Sequence, residues 1–197
     1  MAVVVEAGLI LDFAPATHTY KVIDIATGRE RILPSVTQVL SSAGLIDTTW
    51  FTDGGTERGK NVHIATQYDD EGDLDENTLD PTYLPYLKAW RRFKLETGFL
   101  IEAIEKPFYN LEHGFAGTID RVGILNGRRV VADIKTGQIQ KWWPVQVAGY
   151  SILSGVDENM TVRLKDCGSY KVYHYDEPEK YKDVFVAALA INKFKEM

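Results

Sequence analysis

The 197-residue chain, 45% hydrophobic and 11% aromatic, is long enough to bury a sizeable core as a single domain spanning 1–197. No window approaches about 18 uninterrupted apolar residues, which excludes a spanning helix, and the single cysteine, Cys167, excludes an internal disulfide, a four-cysteine cluster and a zinc knuckle. The net charge of −6 argues against coating nucleic acid by bulk electrostatics, yet seven of the acids fall in residues 69–80 (DDEGDLDENTLD), leaving basic clusters at Arg91-Arg92-Lys94 and Arg128-Arg129.

Met1 to Leu11 is apolar but contains Glu6 and lacks a basic start and a small-residue cleavage site, so no signal peptide is read and cytoplasmic residence is expected. Residues 18–33 alternate around Ala26-Thr27-Gly28, which predicts a hairpin. Pro34-Ser35-Val36-Thr37-Gln38 opens a helix. Ser35 and Gln38 have capping-box spacing, Val36, Val39 and Leu40 supply the apolar stripe, and Gly44 ends it. A second helix is expected from near Thr56 through Arg58, Gly59, His63 and Gln67. Residues 69–80 then read as an acidic surface loop, because acidic runs are ordinarily solvated and the spacing does not match an EF-hand.

Pro81 to Thr97 is helical, with Leu84, Leu87, Trp90 and Phe93 recurring at three and four and Gly98 as the stop. Phe99 to Phe108 alternates as a strand. Glu102 and Glu105, three apart, lie on its opposite faces, so only one can look into a given site. A hairpin over 115–134, a helix from Pro144 to Leu153 closed by Gly155, a hairpin over 160–175 and a helix over Tyr181 to Phe194 complete the chain. The fold class is therefore α/β or α+β, with helices flanking a short mixed sheet.

Within the 115–134 hairpin, Asn126-Gly127 between apolar-rich runs marks a two-residue type I′ turn. Leu125 then faces Arg128, and counting back puts Asp120 opposite Asp133, in the closer kind of antiparallel pair. Lys135 shares the face of Asp133. Two carboxylates held that close repel unless a cation lies between them, and acids on a largely apolar strand are costly unless paired or metal-bound. The arrangement predicts a divalent metal beside an amine.

Other residues are weaker on their own. Gln146 and Tyr150, four apart, share a helix face. His63 is a lone helical histidine, more often a packing or surface residue than a ligand. Trp142 and Trp143 are either core residues or platforms on which bases stack.

Taken together, Arg58-Gly59 through His63, Glu105, Gly117-Thr118-Ile119-Asp120, Asp133-Ile134-Lys135-Thr136-Gly137 and Gln146 through Tyr150 resemble the PD-(D/E)XK nuclease superfamily. The likeness is to its RecB-like and Cas4-like exonuclease branch, which includes phage and mitochondrial single-strand exonucleases, and it runs from about Pro34 to Tyr150, three-fifths of the chain. It implies a restriction-endonuclease-like core. By the same resemblance, His63, Asp120, Asp133 and the main-chain carbonyl of Ile134 hold Mg²⁺ or Mn²⁺. Lys135 would lie beside the attacking water, with Glu105 in the site and Gln146 and Tyr150 holding the DNA or the lysine. Arg58, Thr136, Trp142 and Trp143 become candidate DNA contacts. Members with an iron–sulfur cluster carry four cysteines, so no such cluster is expected here.

The function so implied is a metal-dependent DNA exonuclease of phage recombination or DNA processing, partnered with DNA and with a single-strand annealing protein. A structure-specific or restriction-like endonuclease on the same fold is an alternative. A catalytically silent module that only binds DNA or a protein is another, and intact Asp120, Asp133 and Lys135 speak against it.

Overall fold

The computed structural model describes residues 2–6, 8–46, 51–195 and 197. Met1 and Ala7 of the N-terminal stretch lie outside them. The described residues form a mixed α/β fold of two sheets and five α-helices. A four-stranded antiparallel meander comes first: β1 (Ala2–Glu6), β2 (Leu9–Ala14), β3 (Thr19–Asp24) and β4 (Glu30–Leu33). The expected hairpin over 18–33 is its second half. Its first half was not foreseen, because an apolar run of this length has no clear alternation until its partner strand is known.

The second sheet has the order β5 (Leu100–Asn110), β6 (Phe115–Leu125), β7 (Arg128–Lys135), β8 (Glu158–Leu164), β9 (Tyr170–His174). All its pairings are antiparallel except β7 with β8, which are parallel. A parallel pair needs a crossover, and α4 (Trp143–Ser154) supplies it. This is the short mixed sheet flanked by helices that the sequence pattern predicts.

Helices cover both faces of the five-stranded sheet. On one face, α1 (Val36–Ser42), α4 and α5 (Pro178–Lys195) pack Val36, Leu40, Val147, Phe185 and Leu189 against Ile119, Val122 and Val131. On the other, α2 (Asp53–Glu71) and α3 (Leu84–Thr97) pack Val62, Trp90 and Phe93 against Val130, Ala132, Ile134, Met160 and Val162. Coverage on both sides explains why β7 reads as an apolar run instead of alternating. The capping box forms as expected: Gln38 N–H donates to Ser35 Oγ and the Gln38 side chain accepts from Ser35 N–H. The two sheets are stitched where Ala116 N–H donates to the Pro34 carbonyl at 3.0 Å. Among the described residues, no helix is long and apolar enough to cross a membrane.

Two expectations are corrected. Helix α2 begins at Asp53, not near Thr56, because Thr52 Oγ1 caps it by accepting from Gly55 N–H at 3.1 Å. It also runs on to Glu71, so Asp69 and Asp70 are not part of a solvated loop. They form the last turn of α2, with side chains 9% and 0% exposed, because cations on α3 and β6 meet them.

Close packing at Gly123 gives a stability prediction. A Cβ there would press on the Leu100 carbonyl and within 2.8 Å of the Phe99 ring. Gly123→Ala is expected to destabilise by about 1–3 kcal/mol, read as a lower denaturation midpoint in urea.

Candidate active site

The site lies where β6 and β7 part. Asn126 and Gly127 both have positive φ (52° and 77°), as a type I′ turn requires, and the ladder runs from Leu125↔Arg128 to Arg121↔Ala132. Asp120 and Asp133 come at the next step. There, the carboxylate of Asp120 replaces a main-chain acceptor, and Ile134 N–H donates to its Oδ2 at 2.7 Å. The bond aims Asp120 across the fork and gives a buried acid a partner. Gly117, three residues earlier, lets α1 and α4 approach: a Cβ would lie 3.0 Å from Leu153 Cδ1 and 3.2 Å from both Tyr150 Cε1 and Val36 Cγ2.

His63 comes to the same place from α2. Its Nδ1 is 3.6 Å from Asp120 Oδ2 and 3.7 Å from Glu105 Oε1, while its Nε2 is 2.9 Å from the Ile134 carbonyl. Of the two acids on β5, Glu105 faces the site and Glu102 pairs outside with Arg129 at 2.8 Å. Glu105 has φ 42°, a conformation that costs a non-glycine residue energy and that clusters at functional sites. Its strand also slips register between Ile101 and Ala103, a bulge of the kind that re-aims side chains.

Among the described residues, His63, Glu105 and Asp120 bring three ligand atoms within 4.8 Å of one another. Asp133 stands beside that triad. Its Oδ1 accepts from Lys135 Nζ at 2.7 Å, and its Oδ2 is buried with no hydrogen-bond partner. An orphaned buried carboxylate oxygen next to three oxygen and nitrogen donors is the chemistry of a divalent cation site. The Ile134 carbonyl, implied as a ligand, is engaged by His63 Nε2 here.

The electrostatics agree with this crowding. Burial alone would lower the His63 pKa, but Asp120 and Glu105 outweigh it and hold the imidazole up at about 9. Burial pushes Asp133 up to about 6, an effect Lys135 opposes and Asp120 reinforces. The His63 value lies above its usual 6.5, so the stability it contributes is complete below about pH 6.5 and lost as pH rises through 9. In EDTA, the melting temperature is expected to fall between pH 6.5 and 9, and His63→Gln is expected to flatten that slope in a calorimetric pH series.

The remaining sequence candidates divide. Gln146 and Tyr150 are buried and bonded to each other at 3.1 Å, and Thr37 accepts from Gln146 at 3.3 Å. Burial, with the nearby Asp120 and Asp133, raises the Tyr150 pKa well above 10, so its phenol stays protonated. Trp142 lines a cleft of about 450 Å³ with Arg58, His63, Lys135, Thr136 and Gly137, and its ring centroid is 5.7 Å from Lys135 Nζ. Trp143 borders the same cleft but is buried, at 2% exposure, and meets the Tyr173 ring edge to face at 6.3 Å.

Sequence reasoning missed Arg121 and Asp70. Arg121 is 0% exposed and donates to Asp70 Oδ2 at 2.7 Å and Glu105 Oε1 at 3.1 Å. The cost of charge on an apolar strand, applied to Asp120, would have flagged Arg121 as well.

No protein-family model matches the chain, and no curated protein does. Among solved structures it is similar to an alkaline exonuclease (LHK-Exo) from Laribacter hongkongensis, at 15% identity and TM-score 0.40, over 82% of this chain and 91% of that one. It is similar to SSO0001 at 14% identity and TM-score 0.37, over 82% and 84%. It is also similar to LHK-Exo in complex with dAMP at 16% identity and TM-score 0.35, over 83% and 92%. Likeness this distant assigns no role to any residue, and the functional reading rests on the site itself.

Proposed function

We propose that the protein is a divalent-metal-dependent DNA exonuclease, with Mg²⁺ or Mn²⁺ held by His63, Glu105, Asp120 and Asp133. The observation that carries the reading is the convergence of His63, Glu105 and Asp120 within 4.8 Å beside the Asp133–Lys135 pair. The donors are mostly oxygens, which suits hard cations, and one imidazole leans the preference toward Mn²⁺. When bound, such an ion polarises a phosphate and lowers the pKa of a water ligand.

The protein's own groups do the rest. Lys135, fixed by Asp133, orients a water for in-line attack and offsets negative charge growing on the phosphate. The Trp142 face and Arg58 in the adjoining cleft suit a nucleotide held next to the reacting bond. Arg58 Nε is buried without a partner, a donor ready for a phosphate oxygen. Gln146 and Tyr150 brace the floor from α4.

Digestion of end-labelled linear DNA against closed circular DNA, with Mg²⁺, Mn²⁺ or EDTA, tests the reading. Linear DNA is expected to lose nucleotides from its ends with either ion, and circles are expected to persist. Cleavage that survives EDTA, or circles cut as fast as linear DNA, would sink it. A second expectation concerns protons. Because His63 is held near 9, an ion bound through Nδ1 displaces its proton. Calorimetric Mn²⁺ titrations at pH 7.5 in buffers of different ionisation enthalpy are expected to report about one proton released per ion.

A further inference from the structure

One guanidinium joins three of the elements that build the site. Arg121 donates through Nε to Asp70 Oδ2 at 2.7 Å, through Nη1 to Glu105 Oε1 at 3.1 Å and to the Asp120 carbonyl at 2.5 Å, and through Nη2 to Thr66 Oγ1 at 3.4 Å. Asp70 and Thr66 belong to α2, the helix of His63. Glu105 is on β5 and Asp120 on β6. Asp70 is itself fixed: Trp90 Nε1 donates to both its oxygens, at 3.0 and 2.9 Å, and Lys94 pairs with it from the next turn of α3. Both Arg121 and the Asp70 side chain are fully buried.

Stability does not account for such a pair. Removing two charges from water costs about as much as their attraction returns, and apolar side chains of similar volume often hold a core as well or better. Aiming a carboxylate is something apolar side chains cannot do. Glu105 needs aiming, because its backbone sits at φ 42° on a bulged strand and its side chain is 23% exposed. Left alone, a partly exposed glutamate samples several rotamers. We propose that Arg121, anchored by Asp70, is a positioning residue for Glu105 that holds its carboxylate facing His63 and Asp120 in the geometry that receives the ion. The proposal rests on the reading of that cluster as the metal centre.

The test compares the parent protein with Asp70→Leu/Arg121→Met, which removes both buried charges at once and leaves Lys94 its bond to Asp69. Mn²⁺ affinity is measured by calorimetry, and cleavage is measured against Mn²⁺ concentration. The double variant is expected to bind Mn²⁺ about 10–100-fold more weakly, and to regain most of the parental rate when Mn²⁺ is raised in proportion. In a Glu105→Gln background the same pair replacement is expected to cost nothing further, since the residue it acts through is gone. Should the apolar pair not fold, Arg121→Lys carries the same comparison, because an ammonium cannot reach Asp70, Glu105 and the Asp120 carbonyl together. Parental Mn²⁺ affinity in these variants, or losses that multiply independently with Glu105→Gln, overturns the proposal and leaves the nuclease reading standing. A parent protein that binds no Mn²⁺ and cleaves nothing removes both.

Discussion

Replacing Asp120 or Lys135 with alanine is expected to lower DNA cleavage by about 10²–10³-fold or more. The two losses have different causes. Asp120 is one of the three groups whose ligand atoms converge, and its Oδ2 also holds Ile134 N–H, so its removal loosens the fork as well as the ion. Lys135 touches the site through Asp133 alone among its hydrogen bonds, and its side chain is 17% exposed. Its loss leaves the buried Asp133 without its cation, so the melting temperature is expected to fall as well. It also has a signature that a general disturbance lacks. Lys135 is the main influence keeping the Asp133 pKa down, against burial that has already raised it to about 6. Without the ammonium, Asp133 titrates higher, and a carboxylate that must be ionised to serve becomes protonated nearer neutrality. The acidic limb of the pH–rate profile of Lys135→Ala is expected to move upward, and Lys135→Arg, which keeps the charge, is expected to hold it near the parental position. Unchanged cleavage by purified Lys135→Ala, or a pH profile identical to the parent's, would exclude the assigned role.

What the sequence revealed about this site follows the range over which its signals act. The Asn126-Gly127 turn fixes the register of its own hairpin, and period-two alternation then assigns a face to every residue for several steps. Asp133 and Lys135 share a face for that reason. The capping box at Ser35 and the glycine stops at Gly98 and Gly155 are local too, and α1 starts, and α3 and α4 stop, where those residues put them. Glu105 was placed by a weaker argument. Strand parity said that only one of Glu102 and Glu105 enters the site, but not which. The choice depends on a bulge and a positive φ that alternation does not encode. The acidic run over 69–80 misled for a related reason. Composition treats seven acids as one feature, whereas the end of α2 divides them. Asp69 and Asp70 lie before Gly72, whose left-handed conformation closes the helix, and they turn inward to Arg91, Lys94 and Arg121. The partners are more than 20 residues away in sequence, so no local pattern could have paired them. Trp142 and Trp143 show the same limit at one residue's resolution. Adjacent positions at the start of α4 differ by about 100° in direction, and only the packed structure says that both border the cleft while Trp143 is the buried one.

Asp70→Leu alone is expected to be the most destabilising single change in the molecule's charged network. The single variant leaves Arg121 fully buried beside Trp90 with no carboxylate except the partly exposed Glu105, and takes one of two anions from Lys94. Breaking a buried pair from one side costs about 3–5 kcal/mol, because the surviving charge keeps its desolvation penalty and loses its attraction. For a chain of this size that corresponds to a melting temperature lower by roughly 6–20 °C. The double variant Asp70→Leu/Arg121→Met is expected to recover most of the loss, since no unpaired charge then remains inside. The ordering matters more than either number. If the pair existed to stabilise the fold, removing both partners would cost at least as much as removing one. If it exists to aim Glu105, the double variant is stable and binds its ion poorly, while the single variant is poor at both. Thermal melts of the three proteins in EDTA, taken beside their Mn²⁺ titrations, separate these cases. A double variant that melts as low as Asp70→Leu would show that the Arg121–Asp70 pair is part of what holds the sheet to α2 and α3.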